Sequence, residues 1–108
     1  MCGLAGIAAR SELTSDRLPF ALAALQHRGP DGQGDSIEQQ VALGHTRLSI
    51  IDLEGGAQPL RSPCGRYVLV ANGEIYNHLE LRSELLALGA PFQTGSDCEV
   101  ILQGYRLW

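Results

Sequence analysis

No stretch of this sequence is both long and apolar enough to span a bilayer, and no basic region followed by an apolar run opens it as a signal peptide would. The sequence therefore implies no membrane association and a cytoplasmic compartment. Cysteine is scarce: Cys2, Cys64 and Cys98 are odd in number and form neither a disulfide framework nor a C-x-x-C metal spacing. No metal site is expected. Aromatic residues make up 6% of the chain, and its net charge of -4 comes from interspersed acids and bases without a basic stripe, which argues against a nucleic-acid partner. What is present, 44% hydrophobic and 19% charged residues with 13 glycines in 108, is the composition of a globular chain rich in turns. That length allows one domain or less, and no repeat, low-complexity segment or linker divides it.

Cys64 and Cys98 read as packed side chains, buried or half-buried. Cys2 is set apart by its place. Trimming of Met1, usual before a small second residue, would put a thiol and a free α-amine on one residue. That residue would be a nucleophile carrying its own base.

Residues 3–9 are compact and apolar and predict a first strand; Ser15 or Asp16 could cap a helix carrying Phe20, Leu22, Ala23 and Leu25, with Pro19 in its first turn. The run His27, Arg28, Gly29, Pro30, Asp31, Gly32 then breaks the helix and reads as loop. Two strand segments follow over 41–44 and 48–53, the second almost continuously apolar, with Arg47 just before it. Residues 54–65 read as loop and 67–71 as a further strand ending at Asn72 and Gly73. A helix over 78–88, capped by Asn77 and stopped by Gly89, precedes a last helix starting after Asp97.

The polar residues needing explanation lie where loops meet elements, which is where sites are built: Cys2, Arg47, Asn72, Gly73 and Asp97. Each has a plainer reading. An Asn-Gly pair after a strand is commonly a hairpin turn, Asp97 with Ser96 could be a helix cap, and Arg47 could make a surface ion pair. Those readings weaken when the residues are taken together.

The blocks MCGLAGI from Met1, HRGPDG from His27, RLSIIDL from Arg47, GAQPL from Gly56, NGEIYNH from Asn72 and GSDCEVI from Gly95 resemble, in this order, the class II glutamine amidotransferases. The form of HRGPDG and GAQPL points to the branch of the glutamine-hydrolysing asparagine synthetases. The resemblance covers essentially the whole chain. It implies an α+β fold, the four-layer αββα sandwich of the N-terminal nucleophile hydrolases, of which residues 1–108 would form the N-terminal portion. The rest of that domain and a C-terminal synthetase domain are expected to lie outside this sequence.

The resemblance also assigns roles. Cys2 would be the nucleophile, and an α-amine, titrating at about 7.7–8.0 in peptides, can take its proton and return it to departing ammonia. The Asn72 side-chain amide and the Gly73 N–H would hold the oxyanion, with glycine required so that the backbone comes close to substrate. Arg47 suits the α-carboxylate of free glutamine, Asp97 and Glu74 the α-ammonium, while the backbone around Ile50 and Ile51 lines the pocket. His27, His45 and His78 have no place in that chemistry and read as structural. No cofactor is implied for glutamine hydrolysis; ATP and Mg belong to the synthetase domain, the partner that would accept the ammonia.

Other readings stay open on sequence alone. The same glutaminase unit serves relatives that amidate sugars, peptides or other carboxylates. A remnant with a pocket and no activity, favoured by an uncovered sheet edge and apolar face, is a second. An N-terminal nucleophile amidase for another amide is a third, opposed by Arg47 and Asp97, which suit a zwitterion.

Overall fold

A computed structural model describes residues 1–13, 17–50 and 54–108. Among these residues two small antiparallel sheets and three α-helices make an α+β architecture. The first sheet has the order β1-β3-β2, with β1 at Gly3–Ala8, β2 at Gly32–Ile37 and β3 at Val41–Arg47. Its central strand β3 pairs with both neighbours, Gly3 facing Thr46 and Gly32 facing Arg47, so both ladders end at the same level.

Strand alternation gives β3 two faces. Ala42, Gly44 and Thr46 face helix α1 at Arg17–Leu25: Leu18, Leu22 and Ala42 form one core, and Thr46 Oγ1 donates to Leu25 O at 3.1 Å. A Cβ on Gly44 would lie 2.7 Å from Leu22 Cδ2, so the absence of a side chain there lets the helix settle on the sheet. His45 and Arg47 fall on the opposite face, toward the second half of the chain.

That half contains the two-stranded sheet of β4 at Leu60–Arg61 and β5 at Val68–Leu69, then α2 at His78–Ala87 and α3 at Glu99–Leu107. Leu60, Cys98 and Leu102 form a core that Tyr67, Leu69 and Ala71 complete, and Leu85, Ala90 and Val100 form another between the helices. Gly89 ends α2 at a φ of 86°, a conformation that favours glycine, as the sequence implied. Among the described residues no helix is long and apolar enough to cross a membrane.

Several elements differ from expectation. The strand expected over 48–53 does not form in residues 48–50; β3 instead runs unbroken through Arg47, and residues 51–53 lie outside the described residues. Beyond Arg47 neither neighbour offers a ladder partner, and other groups take up the backbone: Leu48 N–H donates to Cys2 Sγ and Ser49 N–H to Asp31 Oδ2 at 2.8 Å. Gly32, read as the end of a loop, begins β2, and the loop of 54–65 contains β4. The strand over 67–71 keeps only Val68 and Leu69 in a ladder, because Tyr67 N–H goes to Ser62 Oγ and Ala71 N–H to Gln58 Oε1. Asn77 precedes α2 without a side-chain capping bond, and Cys64 is exposed rather than packed. The caps expected at Ser15 or Asp16 lie outside the described residues.

Candidate active site

An open cleft of about 400 Å³ lies between the first sheet and the second half of the chain. Its lining brings together Cys2, Arg47, Ile50, Asn72, Gly73, Glu74 and Asp97, residues drawn from four separate parts of the sequence. Ile51 lies outside the described residues. The size falls in the range of small-molecule sites, roughly 300–1,000 Å³.

Cys2 sits half-buried immediately before β1, where Leu48 holds its sulfur: the Leu48 N–H donates to Sγ at 3.2 Å and the thiol reaches Leu48 O at 3.5 Å. Met1 also lines the cleft and is 67% exposed, so removing it would leave the α-amine of residue 2 beside the same space. The HRGPDG block, expected as a loop and given no role in the chemistry, braces this corner. Arg28 Nε donates to Cys2 O at 3.2 Å, Asp31 N–H to Arg47 O at 2.9 Å, and Asp31 Oδ2 receives Ser49 N–H. Gly29 presses directly on β3, where an added Cβ would stand 2.3 Å from the Thr46 carbonyl carbon.

The opposite wall is the segment from Ala71 to Ile75. It is no hairpin turn, since β5 precedes it and α2 follows it. Cys98 Sγ approaches Gly73 O at 3.9 Å, and Asp97 Oδ2 accepts the Ile75 N–H at 2.7 Å. Asp97, 5% exposed, therefore ties its carboxylate across to the Asn-Gly segment, while the Cys98 N–H is taken by Ser96 Oγ at 3.3 Å. A Cβ on Gly73 would meet no atom within 4 Å, so the fold itself does not demand glycine there.

The loop leading to Asp97 is fixed by a residue that sequence reasoning passed over. Glu99, 2% exposed, accepts the backbone N–H groups of Gln93 at 2.8 Å and Thr94 at 2.7 Å and the Thr94 hydroxyl. A buried carboxylate is tolerable only with such partners. Arg82 adds a hydrogen bond to Thr94 O at 2.7 Å. The signal available in sequence was a glutamate directly before the apolar run Val100, Ile101 and Leu102 in the first turn of α3.

Electrostatically the cleft has two ends. Burial, then the charge and hydrogen bond of Asp97, then the charge of Glu74, push the Cys98 thiol up to about 11. Two carboxylates thus concentrate negative charge beside Cys98, and that thiol stays protonated at neutral pH. At the β3 end stands the guanidinium of Arg47, whose positive charge is among the causes that lower the pKa of His45. An ammonium and a carboxylate on one small molecule fit these ends, with Cys2 and the Asn72–Gly73 step available to what lies between.

A model of the glutamine amidotransferase domain matches residues 1–108. The chain is 49% identical to a probable asparagine synthetase [glutamine-hydrolyzing] of Schizosaccharomyces pombe, 45% to asparagine synthetase [glutamine-hydrolyzing] 1 of Bacillus subtilis and 43% to asparagine synthetase B [glutamine-hydrolyzing] of Escherichia coli. Each similarity covers 98% of this chain but only 19%, 18% and 20% of the respective relative. The chain thus spans about a fifth of the length of these relatives.

Proposed function

We propose, the chain belonging to the glutamine amidotransferase domain family, that its cleft hydrolyses glutamine to glutamate and ammonia with Cys2 as nucleophile. The observation that carries this reading is the convergence of Cys2, Arg47, Asn72, Gly73, Glu74 and Asp97 on one cleft with a cationic and an anionic end. In the longer protein the ammonia serves ATP-dependent asparagine synthesis from aspartate, with Mg. That reading is supported by relatives named as glutamine-hydrolysing asparagine synthetases. The fold we propose for the complete domain is the N-terminal nucleophile hydrolase sandwich, with residues 1–108 its first portion.

In this mechanism the α-amine of trimmed Cys2 takes the thiol proton as Sγ attacks the side-chain amide carbon. The carbonyl oxygen gains the electron pair and is held by the Asn72 amide and the Gly73 N–H. Each such donor contributes roughly 2.7–4 kcal/mol to the transition state. Collapse breaks the C–N bond, and the ammonium form of the amine returns its proton to the leaving nitrogen, releasing ammonia and leaving a γ-glutamyl thioester. Water then attacks, giving its proton to the same amine, which protonates the departing sulfur. Arg47 holds the α-carboxylate and Asp97 with Glu74 the α-ammonium, so a protein-bound glutamine, lacking both charges, is refused.

Two measurements test the assignment. The active enzyme is expected to lack Met1 by intact mass, and full activity with Met1 retained would remove the proposed base. Arg47→Lys in the full-length protein is expected to raise the glutamine KM by one to two orders of magnitude, because a point charge cannot reproduce a two-pronged carboxylate contact worth about 1.5–3 kcal/mol. An unchanged KM in steady-state glutaminase kinetics would remove Arg47 from substrate binding.

A further inference from the structure

Ala71, the residue before Asn72, belongs to no ladder, yet both of its backbone polar groups are held by side chains from other segments. Gln58 Oε1 accepts its N–H at 2.6 Å, and His45 Nε2 lies 3.1 Å from its carbonyl oxygen. These partners come from two separate earlier segments, one in the GAQPL block and one on the central strand β3. We propose that His45 and Gln58 are positioning residues for glutamine hydrolysis, holding the Ala71 N–H and carbonyl on the two peptide groups that flank its Cα and so setting where Asn72 and Gly73 present their donors. The inference rests on the function proposed above.

The histidine is built for one protonation state. A carbonyl oxygen only accepts, so Nε2 carries the hydrogen and Nδ1 the lone pair. His45 is 1% exposed, and its Nδ1 is buried without a hydrogen-bond partner among the described residues. Protonation there would bury a cation whose new N–H meets no acceptor among them. Burial accordingly lowers its pKa; the bond to Ala71 O opposes this and the Arg47 charge reinforces it. The imidazole remains a neutral donor aimed at one carbonyl, on the same face of β3 as Arg47. Since β3 is the middle strand, its two flanking ladders fix the donor's origin rigidly. The segment it holds has no ladder of its own at Ala71, where a displacement of about 1 Å can cost 10²-fold in rate.

Glutaminase kinetics of the full-length protein test this. His45→Phe keeps an aromatic ring, a slightly larger one, and removes the donor; kcat is expected to fall about 10- to 100-fold with the glutamine KM within about twofold, since Arg47 and Asp97 still bind the substrate. His45→Gln, whose amide N–H can reach the Ala71 carbonyl, is expected to recover most of kcat. In an Asn72→Ala background His45→Phe should add clearly less than it does in the wild type, because the part of its effect that passes through the Asn72 amide is already gone and only the Gly73 part remains; a general loss of structure would add in full. Should thermal unfolding show His45→Phe to be unfolded, Gln58→Met, which removes the acceptor of the Ala71 N–H, carries the same expectations. Unchanged kcat, a loss confined to KM, or full additivity with Asn72→Ala would overturn the proposal. Undiminished hydrolysis by Asn72→Ala alone would instead overturn the oxyanion assignment on which it rests.

Discussion

Cys2→Ala in the full-length protein is expected to lower glutamine hydrolysis by at least about 10⁴-fold, the scale on which enzymes lose activity when a nucleophile is removed. Synthesis from added ammonium salt should continue near the wild-type rate, since only the hydrolytic step is bypassed. The substitution is small in structural terms. It removes one half-buried sulfur and its two contacts with Leu48, leaving Arg47, Asp97 and the Asn72–Gly73 step in place, so glutamine should still bind. The second thiol in the cleft gives no rescue, because Cys98 is pushed up to about 11 and is a thiol, not a thiolate, at neutral pH. Paired assays with glutamine and with ammonium decide the matter. Retained glutamine-dependent turnover would end the nucleophile assignment, and loss of both activities would mean that the variant fails to fold.

What the sequence disclosed of the site was mostly residue chemistry, and what it hid was mostly geometry. Cys2, Arg47, Asn72 and Asp97 stood out because their types and positions at element junctions are chemically specific. Their neighbours did not. His45 and Gln58 each make one hydrogen bond to a distant backbone group, and nothing local marks such a contact. The link is alternation along β3: residues 41–47 form one strand, which puts His45 on the face of Arg47 and makes it a neighbour of the site, whereas a strand that ends at Gly44 carries no such relation.

That residues 48–50 form no strand has a physical cause too. Their sequence has the apolar character of a buried strand, but a strand needs a partner, and the ladders of β3 stop at Thr46 and Arg47. Conversely β2, GQGDSI, has poor strand propensity and forms because β3 pairs with it along its whole length. Tertiary pairing overrode composition in both directions. Gly34 illustrates why the unfavourable residue is there: a Cβ would lie 2.1 Å from Gln58 O, so a bare backbone lets the GAQPL block pack on the sheet. The same block supplies the Gln58 side chain that holds Ala71, which links a strand-weakening glycine to the geometry of the cleft.

Two glycines of the motif blocks should respond in opposite ways to alanine, and the contrast separates fold from chemistry. At Gly29 the new Cβ would collide with the Thr46–Arg47 backbone at 2.3–2.4 Å, atoms that cannot swing aside. Gly29→Ala is therefore expected to destabilise the domain by about 1–3 kcal/mol or more, as overpacking does. Gly73→Ala meets no protein atom within 4 Å, so its thermal unfolding should match the wild type. Turnover is another matter. If the Gly73 N–H receives the oxyanion, substrate must approach the backbone there, and a methyl group in that approach displaces the reacting carbonyl by about an ångström. A roughly 10²-fold loss of kcat/KM follows from misplacement on that scale. Thermal unfolding and glutaminase kinetics on the same preparation of the full-length protein give both readings. A stable Gly73→Ala variant with undiminished kcat/KM would mean that the substrate lies elsewhere in the cleft, and that the Gly73 N–H takes no part in holding the oxyanion.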